Sequence, residues 1–200
     1  GMITVLTIER HPGLFDAAIA TCCPTGSLYA QMQHFGDAHV LFKYFFGESL
    51  NDINLGSPKG ISKATINAWV DGSLKIAIVE AIQNDYLNNG GNKVRQYLAC
   101  AKIPADVSNP AAVATTILEV MKYPIMATND IYTRMGGNPY NNKYPERQYT
   151  GSDNDRKLNL TVERICRSDY EQGKQTVEMY YETSGKLLTP LVNMHTTGDH

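Results

Sequence analysis

The chain has 200 residues, of which 42% are hydrophobic and 19% charged, and its formal net charge is -2. This balance predicts one compact core and excludes a disordered chain. Lysine and arginine are scattered rather than clustered, which excludes the basic surface of a nucleic-acid binder. No apolar run approaches the roughly 18 residues of a membrane span, so we predict no membrane partner and no signal peptide.

The N-terminal part is predicted to be a helix, a strand and a second helix. Met2–Arg10 is an apolar helical stretch, which the sequence His-Pro-Gly ends. Ala17–Cys23 is a short continuous apolar run before a proline and a glycine, as expected of a parallel strand covered on both faces. Ser27–Phe46 has a helical pattern and many aromatic residues, which we expect to lie in the core.

Three further helices are predicted in the middle of the chain. Apolar residues at helical spacing run from Leu74 to Ile82, and Gly90 with the glycine after it ends that helix. Another helix, through Val94 and Leu98, should end before Pro104. The third should begin with a proline at residue 110, continue to about residue 135 and bend near residue 124.

The C-terminal part is predicted to be a loop over residues 136–155, two short helices (Leu158–Ile165 and Tyr170–Tyr181) and a second apolar strand, Leu191–Thr197. The predicted fold class is therefore α/β and predominantly helical. Its core would be the two strands, paired in parallel as neighbours, with helices over both faces. Residues 1–26 and 187–200 would form this partial core, and residues 27–186 a large helical cap. We expect both ends to be cut from a longer protein.

The segment Leu188–Asp199 reads Leu-Thr-Pro-Leu-Val-Asn-Met-His-Thr-Thr-Gly-Asp. It resembles the strand that carries the catalytic acid in the α/β-hydrolase family of serine enzymes. The start of the chain is similar to the stretch that follows the nucleophile elbow GxSxG in that family. The Gly-Gly-Asn-Pro sequence at residues 136–139 is similar to a loop in the helical cap of some of its members.

The resemblance implies a partial α/β-hydrolase core in which Asp199 is the acid of a Ser-His-Asp triad and orients the catalytic histidine. It also implies ester or amide hydrolysis of a small-molecule ester or peptide. Four residues would contribute to substrate binding: Cys23 at the end of the first strand, and Asn138, Tyr140 and Tyr149 in the loop. No GxSxG occurs in the chain, and no histidine lies beyond the one adjacent to Asp199. The chain alone should therefore be inactive.

The candidate residues also have alternative interpretations. His195, Asp199 and His200 could supply metal ligands, although one loop without a remote partner is a weak site, and we predict no metal and no cofactor. His195 is better explained as a hydrogen-bonded core histidine. Cys22 or Cys23 could act as a nucleophile, but buried thiols are commoner in protein cores.

The sequence is also compatible with a second function. The chain could be a non-catalytic helical binding or oligomerisation domain that keeps the hydrolase pattern without its chemistry. Self-association is expected in either case, because a two-stranded apolar ribbon would have open edges. The compartment stays open, and the resemblance admits a secreted or periplasmic parent.

Overall fold

The computed structural model describes residues 2–20, 28–50, 53–58, 60–135, 140, 142 and 147–163. About 70% of these residues are helical. Within these ranges the helices are α1 (Met2–Arg10), α2 (Leu28–Phe46), α3 (Lys63–Val70), α4 (Ser73–Asn89), α5 (Asn92–Ala101), α6 (Pro110–Met135) and α7 (Asp155–Glu163), with a 3₁₀ turn at Gly47–Ser49 after α2.

The predicted boundary between α4 and α5 is confirmed. Gly90 and Gly91 have φ angles of 59° and 77°, a left-handed conformation that costs glycine little. The amide of Gly91 donates to the carbonyl oxygen of Asp85 at 3.0 Å and closes the end of α4. The carboxylate of Asp85 then accepts from the amide of Val94 at 3.0 Å, so α5 begins on a buried acidic cap.

Helix α6 begins at Pro110, as the sequence predicted. Asn109 Oδ1 accepts from the amide of Ala112 at 3.1 Å, which caps the first turn, where a proline needs no hydrogen-bond partner for its nitrogen. The helix continues through Pro124 to Met135. Thr128, one turn after Pro124, donates from Oγ1 to the carbonyl oxygen of Pro124 at 2.5 Å.

Helix α3 was not predicted from the sequence. Ser62 caps it by accepting from the amide of Thr65 at 3.1 Å. The residue before this cap, Ile61, is held by Asn129 of α6, which accepts from its amide at 2.8 Å and donates to its carbonyl at 2.7 Å. The approach to α3 is thus fixed by the long helix.

The core forms where α5 and α6 each pack against both α2 and α4, while α7 packs on α2 and α3 on α4 and α6. Helix α2 contacts α5, α6 and α7, and α4 contacts α3, α5 and α6. Phe42 and Phe46 of α2 are fully buried, and Phe42 meets the ring of Tyr97 edge-on at 5.4 Å. Phe42 and Phe46 are therefore core residues, as expected from the sequence, whereas Tyr44 and Phe45 are partly buried.

The predicted α/β fold class is wrong for the described residues, which contain no β-strand. Of the first predicted strand, residues 17–20 are irregular and exposed, and Ile19 is 87% exposed. A short apolar run can form a strand only where a neighbouring strand pairs with its amides and carbonyls, and the described ranges provide none. Residues 21–27 and the second predicted strand, Leu191–Thr197, lie outside these ranges, so the domain division stays a prediction.

The expected absence of a membrane partner and the expected self-association can both be compared with this fold. None of the helices in the described ranges combines the length and apolar character that crossing a bilayer requires. The expected self-association was argued from the open edges of a two-stranded ribbon, and the described part of the chain contains no such ribbon. That argument for self-association is therefore removed.

Candidate functional site

A buried polar network joins α2 to the segment before α7. Asp37 of α2 accepts hydrogen bonds on Oδ1 from the hydroxyls of Tyr149, at 2.6 Å, and Tyr140, at 3.1 Å. The two hydroxyls are 2.7 Å apart. Arg147 donates to Asp37 Oδ2 and to the side-chain oxygen of Gln33. We call Asp37, Tyr140, Arg147 and Tyr149 the aspartate–tyrosine network.

Burial governs the electrostatics of this network. Burial raises the pKa of Asp37, against the lowering effects of the Arg147 guanidinium and of the two tyrosine hydroxyls. Burial and the nearby Asp37 carboxylate also raise the pKa of Tyr149, which therefore stays protonated and donates. The guanidinium of Arg147 also lies 5.6 Å and 5.7 Å from the ring centres of Tyr140 and Tyr149. The network is internally paired and positions the segment.

The sequence around the network permits this close packing. A Cβ atom at Gly36 would lie 2.1 Å from Cδ2 of Tyr140, so only glycine lets this ring rest against α2. Asn159 of α7 accepts from the amide of Tyr149 and donates to its carbonyl oxygen, both at 2.8 Å. Asn142 donates to the carbonyl oxygen of Val162 at 2.8 Å. These amide side chains join the segment to α7.

The structure places two of the predicted substrate-binding residues in this network. Tyr140 is 1% exposed and Tyr149 is 4% exposed, and both hydroxyls hydrogen-bond within the protein. These contacts give both side chains a structural role in holding the loop on α2, and substrate contact by either stays a prediction. Cys23 and Asn138 lie outside the described residues, as does the proposed catalytic acid, Asp199. The alternative ligands His195 and His200 lie outside them too.

Three potential nucleophiles or bases in the described ranges, Ser152, Cys100 and His39, are hydrogen-bonded or buried. Ser152 Oγ donates to Asp155 Oδ1 at 2.6 Å, at the start of α7. Burial raises the pKa of the Cys100 thiol to about 11, which leaves it protonated and unreactive at neutral pH. His39 is fully buried, and its Nε2 lies 3.0 Å from the carbonyl oxygen of Leu55. No group of three or more acidic, histidine or cysteine side chains in these ranges is placed to hold a metal ion.

An open groove of about 610 Å³ lies on the surface of the described fold. Three parts of the fold form it: the C-terminal end of α2 with the 3₁₀ turn, the α4–α5 junction, and residues 152–161. Its lining residues are Tyr44, Phe45, Glu48, Ser49, Asn89, Asn92, Lys93, Gln96, Ser152, Asp153, Asn154, Lys157 and Thr161. We call it the polar groove. Its size falls within the range of small-molecule sites, about 300–1,000 Å³.

The sequence analysis missed this groove. Its residues come from three segments separated by roughly 40 and 60 residues, so their meeting depends on tertiary packing. The local signal available was a high density of Asn, Gln, Ser and Asp at the α4–α5 junction and before α7.

Comparison of the chain with protein-family models, with curated proteins and with solved structures gives no match. The resemblance to α/β-hydrolases therefore rests on the sequence motifs quoted above.

Proposed function

We propose that the helical domain binds a small molecule and performs no chemistry on it alone. The polar groove is the observation that carries this proposal, because it is open, of ligand size and lined by many hydrogen-bonding side chains. Three side chains support the absence of chemistry: the Ser152 hydroxyl is hydrogen-bonded to Asp155, and Cys100 and His39 are buried away from substrate.

A matched pair of variants tests this function. Thr161 lines the groove from α7 and donates to the carbonyl oxygen of Lys157, one turn before it, at 2.7 Å. Thr115 of α6 is also exposed and makes the same contact with Ala111 at 3.0 Å, outside the groove. Thr161→Tyr should place an aromatic ring in part of the groove and weaken the binding of small molecules found by a ligand-observed NMR screen. Thr115→Tyr should leave that binding unchanged.

Three results would contradict the proposal. Compounds that bind the wild type and both variants alike would place ligand binding outside the groove. A screen without any bound compound would also count against it. Turnover of p-nitrophenyl esters by the chain above the buffer rate would contradict the second half of the proposal.

A second proposal follows from the sequence of residues 188–199. In a serine hydrolase of the family that this segment resembles, Asp199 would orient the catalytic histidine, and the helical domain would select an ester or peptide substrate. The chain should then be expressed with the segments that flank it in its gene. Asp199→Asn should lower kcat by about 10⁴ in that protein, because the histidine loses its correct tautomer.

Two results would exclude the hydrolase proposal. The first is a gene that encodes no GxSxG sequence upstream of residue 1. The second is an extended protein that a fluorophosphonate does not label, since this reagent reports an activated serine nucleophile. Neither result affects binding in the polar groove.

A further inference from the structure

The side chains that line the polar groove carry balanced charge. Glu48 and Asp153 are acidic, and Lys93 and Lys157 are basic. Two charges of each sign leave the groove without net charge, so it does not favour a strongly anionic or cationic ligand. The remaining polar residues are amides and hydroxyls, which both donate and accept hydrogen bonds.

Asp153 is held in a fixed position within the groove. Its Oδ2 accepts from Gln96 Nε2 at 2.8 Å, and its amide donates to Gln96 Oε1 at 2.9 Å. Asn92 Nδ2 also lies 3.4 Å from Oδ2. The other carboxylate oxygen, Oδ1, accepts no hydrogen bond from the described part of the chain. A charged acceptor that its neighbours already orient is well suited to bind hydroxyl groups, because little ordering is left to the ligand.

The α2 side of the groove adds aromatic surface. Tyr44 and Phe45 are partly buried, and their rings meet at right angles with centres 5.0 Å apart. Partly exposed rings pack well against the C–H faces of a ligand that is polar at its edges. Apolar faces with hydroxyl edges are the defining chemistry of sugar rings.

These observations together identify a ligand class. We propose that the polar groove binds a neutral oligosaccharide, with Asp153 accepting from sugar hydroxyls and Tyr44 and Phe45 contacting the ring faces. This inference rests on the proposed binding function and names its ligand. The open form of the groove suits an extended chain of sugars, since an oligomer can enter and leave along its length.

The test uses the chain with four neutral probes: maltotetraose, cellotetraose, mannotetraose and tetra-N-acetylchitotetraose. Saturation-transfer NMR should detect binding of at least one neutral probe. It should detect no binding of the acidic probe tetragalacturonate. Asp153→Ala should weaken the binding at least about tenfold, the effect expected when a hydrogen bond to a charged acceptor is lost. Asp130→Ala removes an exposed carboxylate of α6, outside the groove, and should leave the affinity unchanged.

Because Asp153→Ala also removes a contact to α5, Thr161→Tyr serves as a second variant and should weaken sugar binding with the fold intact. No transfer to any neutral probe at millimolar concentration overturns the proposal. Preference for tetragalacturonate, or equal losses in Asp153→Ala and Asp130→Ala, also overturns it. Screening compounds that bind in the groove while no sugar does would refute the ligand class and leave the proposed function standing. If neither screening compounds nor sugars bind in the groove, the ligand class and the proposed binding function are both refuted.

Discussion

The buried histidine of α2 should make the stability of the domain fall in mild acid. Burial, with a smaller effect of Lys43, lowers the pKa of His39 from 6.5 to about 4, against the hydrogen bond to Leu55. Its Nδ1 is buried without a partner among the described residues, so a charged imidazolium would gain nothing there. The folded protein therefore resists protonation at a site that the unfolded chain protonates readily.

The sign and size of the effect follow from proton linkage. Between pH 6.5 and pH 4 the unfolded state binds more protons at this residue than the folded state, so the free energy of unfolding decreases as the pH falls. The gap between a pKa of 6.5 and one of about 4 corresponds to about 3 kcal/mol over the whole range. About 2 kcal/mol of this should be lost between pH 7 and pH 4.5. Asp37, with its raised pKa, acts in the opposite direction.

Comparison with His39→Gln separates the histidine from Asp37. Glutamine can keep a donor for the Leu55 carbonyl and does not titrate, so the variant retains the contribution of Asp37. Urea unfolding can be followed by the fluorescence of Trp69, which is the single tryptophan and is 5% exposed. The stability difference between wild type and variant should narrow by about 2 kcal/mol from pH 7 to pH 4.5. Parallel pH profiles, or a His39 imidazole NMR signal that titrates near pH 6.5, would refute the reasoning.

Three substitutions test the packing that shapes the site. Gly36→Ala should destabilise the domain by about 1–3 kcal/mol, because the displaced Tyr140 ring outweighs the better helix propensity of alanine, and urea unfolding measures this. Tyr149→Phe should cost about 1.5–3 kcal/mol in the same assay, since Asp37 loses its shorter hydroxyl donor. Asp85→Ala should cost about 1–3 kcal/mol and increase amide hydrogen exchange in the first turn of α5.

Two of these substitutions, Gly36→Ala and Tyr149→Phe, have a matched control. Gly47→Ala places a Cβ no closer than 3.4 Å to the flexible Lys43 side chain and should change stability by less than about 0.5 kcal/mol. Tyr123→Phe removes a hydroxyl group from a ring that is half exposed and that keeps its stacking on Phe35. It should also change the stability by less than about 0.5 kcal/mol. If a test variant and its control lose equal stability, then the aspartate–tyrosine network, or the close approach of Tyr140 to Gly36, contributes nothing specific to the stability.

The helices could be predicted from the sequence where apolar spacing and clear end signals agree. Helices α4 and α6 carry both kinds of signal: a repeating apolar pattern, and Gly90 or Pro110 at the boundary. Helix α3 was missed because it has only 8 residues, too few to repeat an apolar pattern. Its signal was the capping residue Ser62, which was overlooked.

The wrong strand and the missed groove have different physical causes. Residues 17–20 are apolar, but an apolar run does not by itself make a strand. A strand also needs a neighbouring strand with which its backbone can pair. The groove depends on how α2, α5 and α7 pack, and polar residues such as Gln96 and Asp153 show no periodic pattern that would bring them together. The roles of Tyr140 and Tyr149 likewise depended on Asp37, more than 100 residues away in the chain.

The most direct test of ligand binding in the polar groove is an NMR titration of the ¹⁵N-labelled chain with the neutral tetrasaccharide that gives the strongest saturation transfer. The largest shift changes should occur at the side-chain amides of Gln96 and Asn92 and at the backbone amide of Asp153, which meet at the centre of the groove. Shift changes confined to other surfaces, such as the exposed residues around Ile3 and Phe15, would contradict a binding site in the groove.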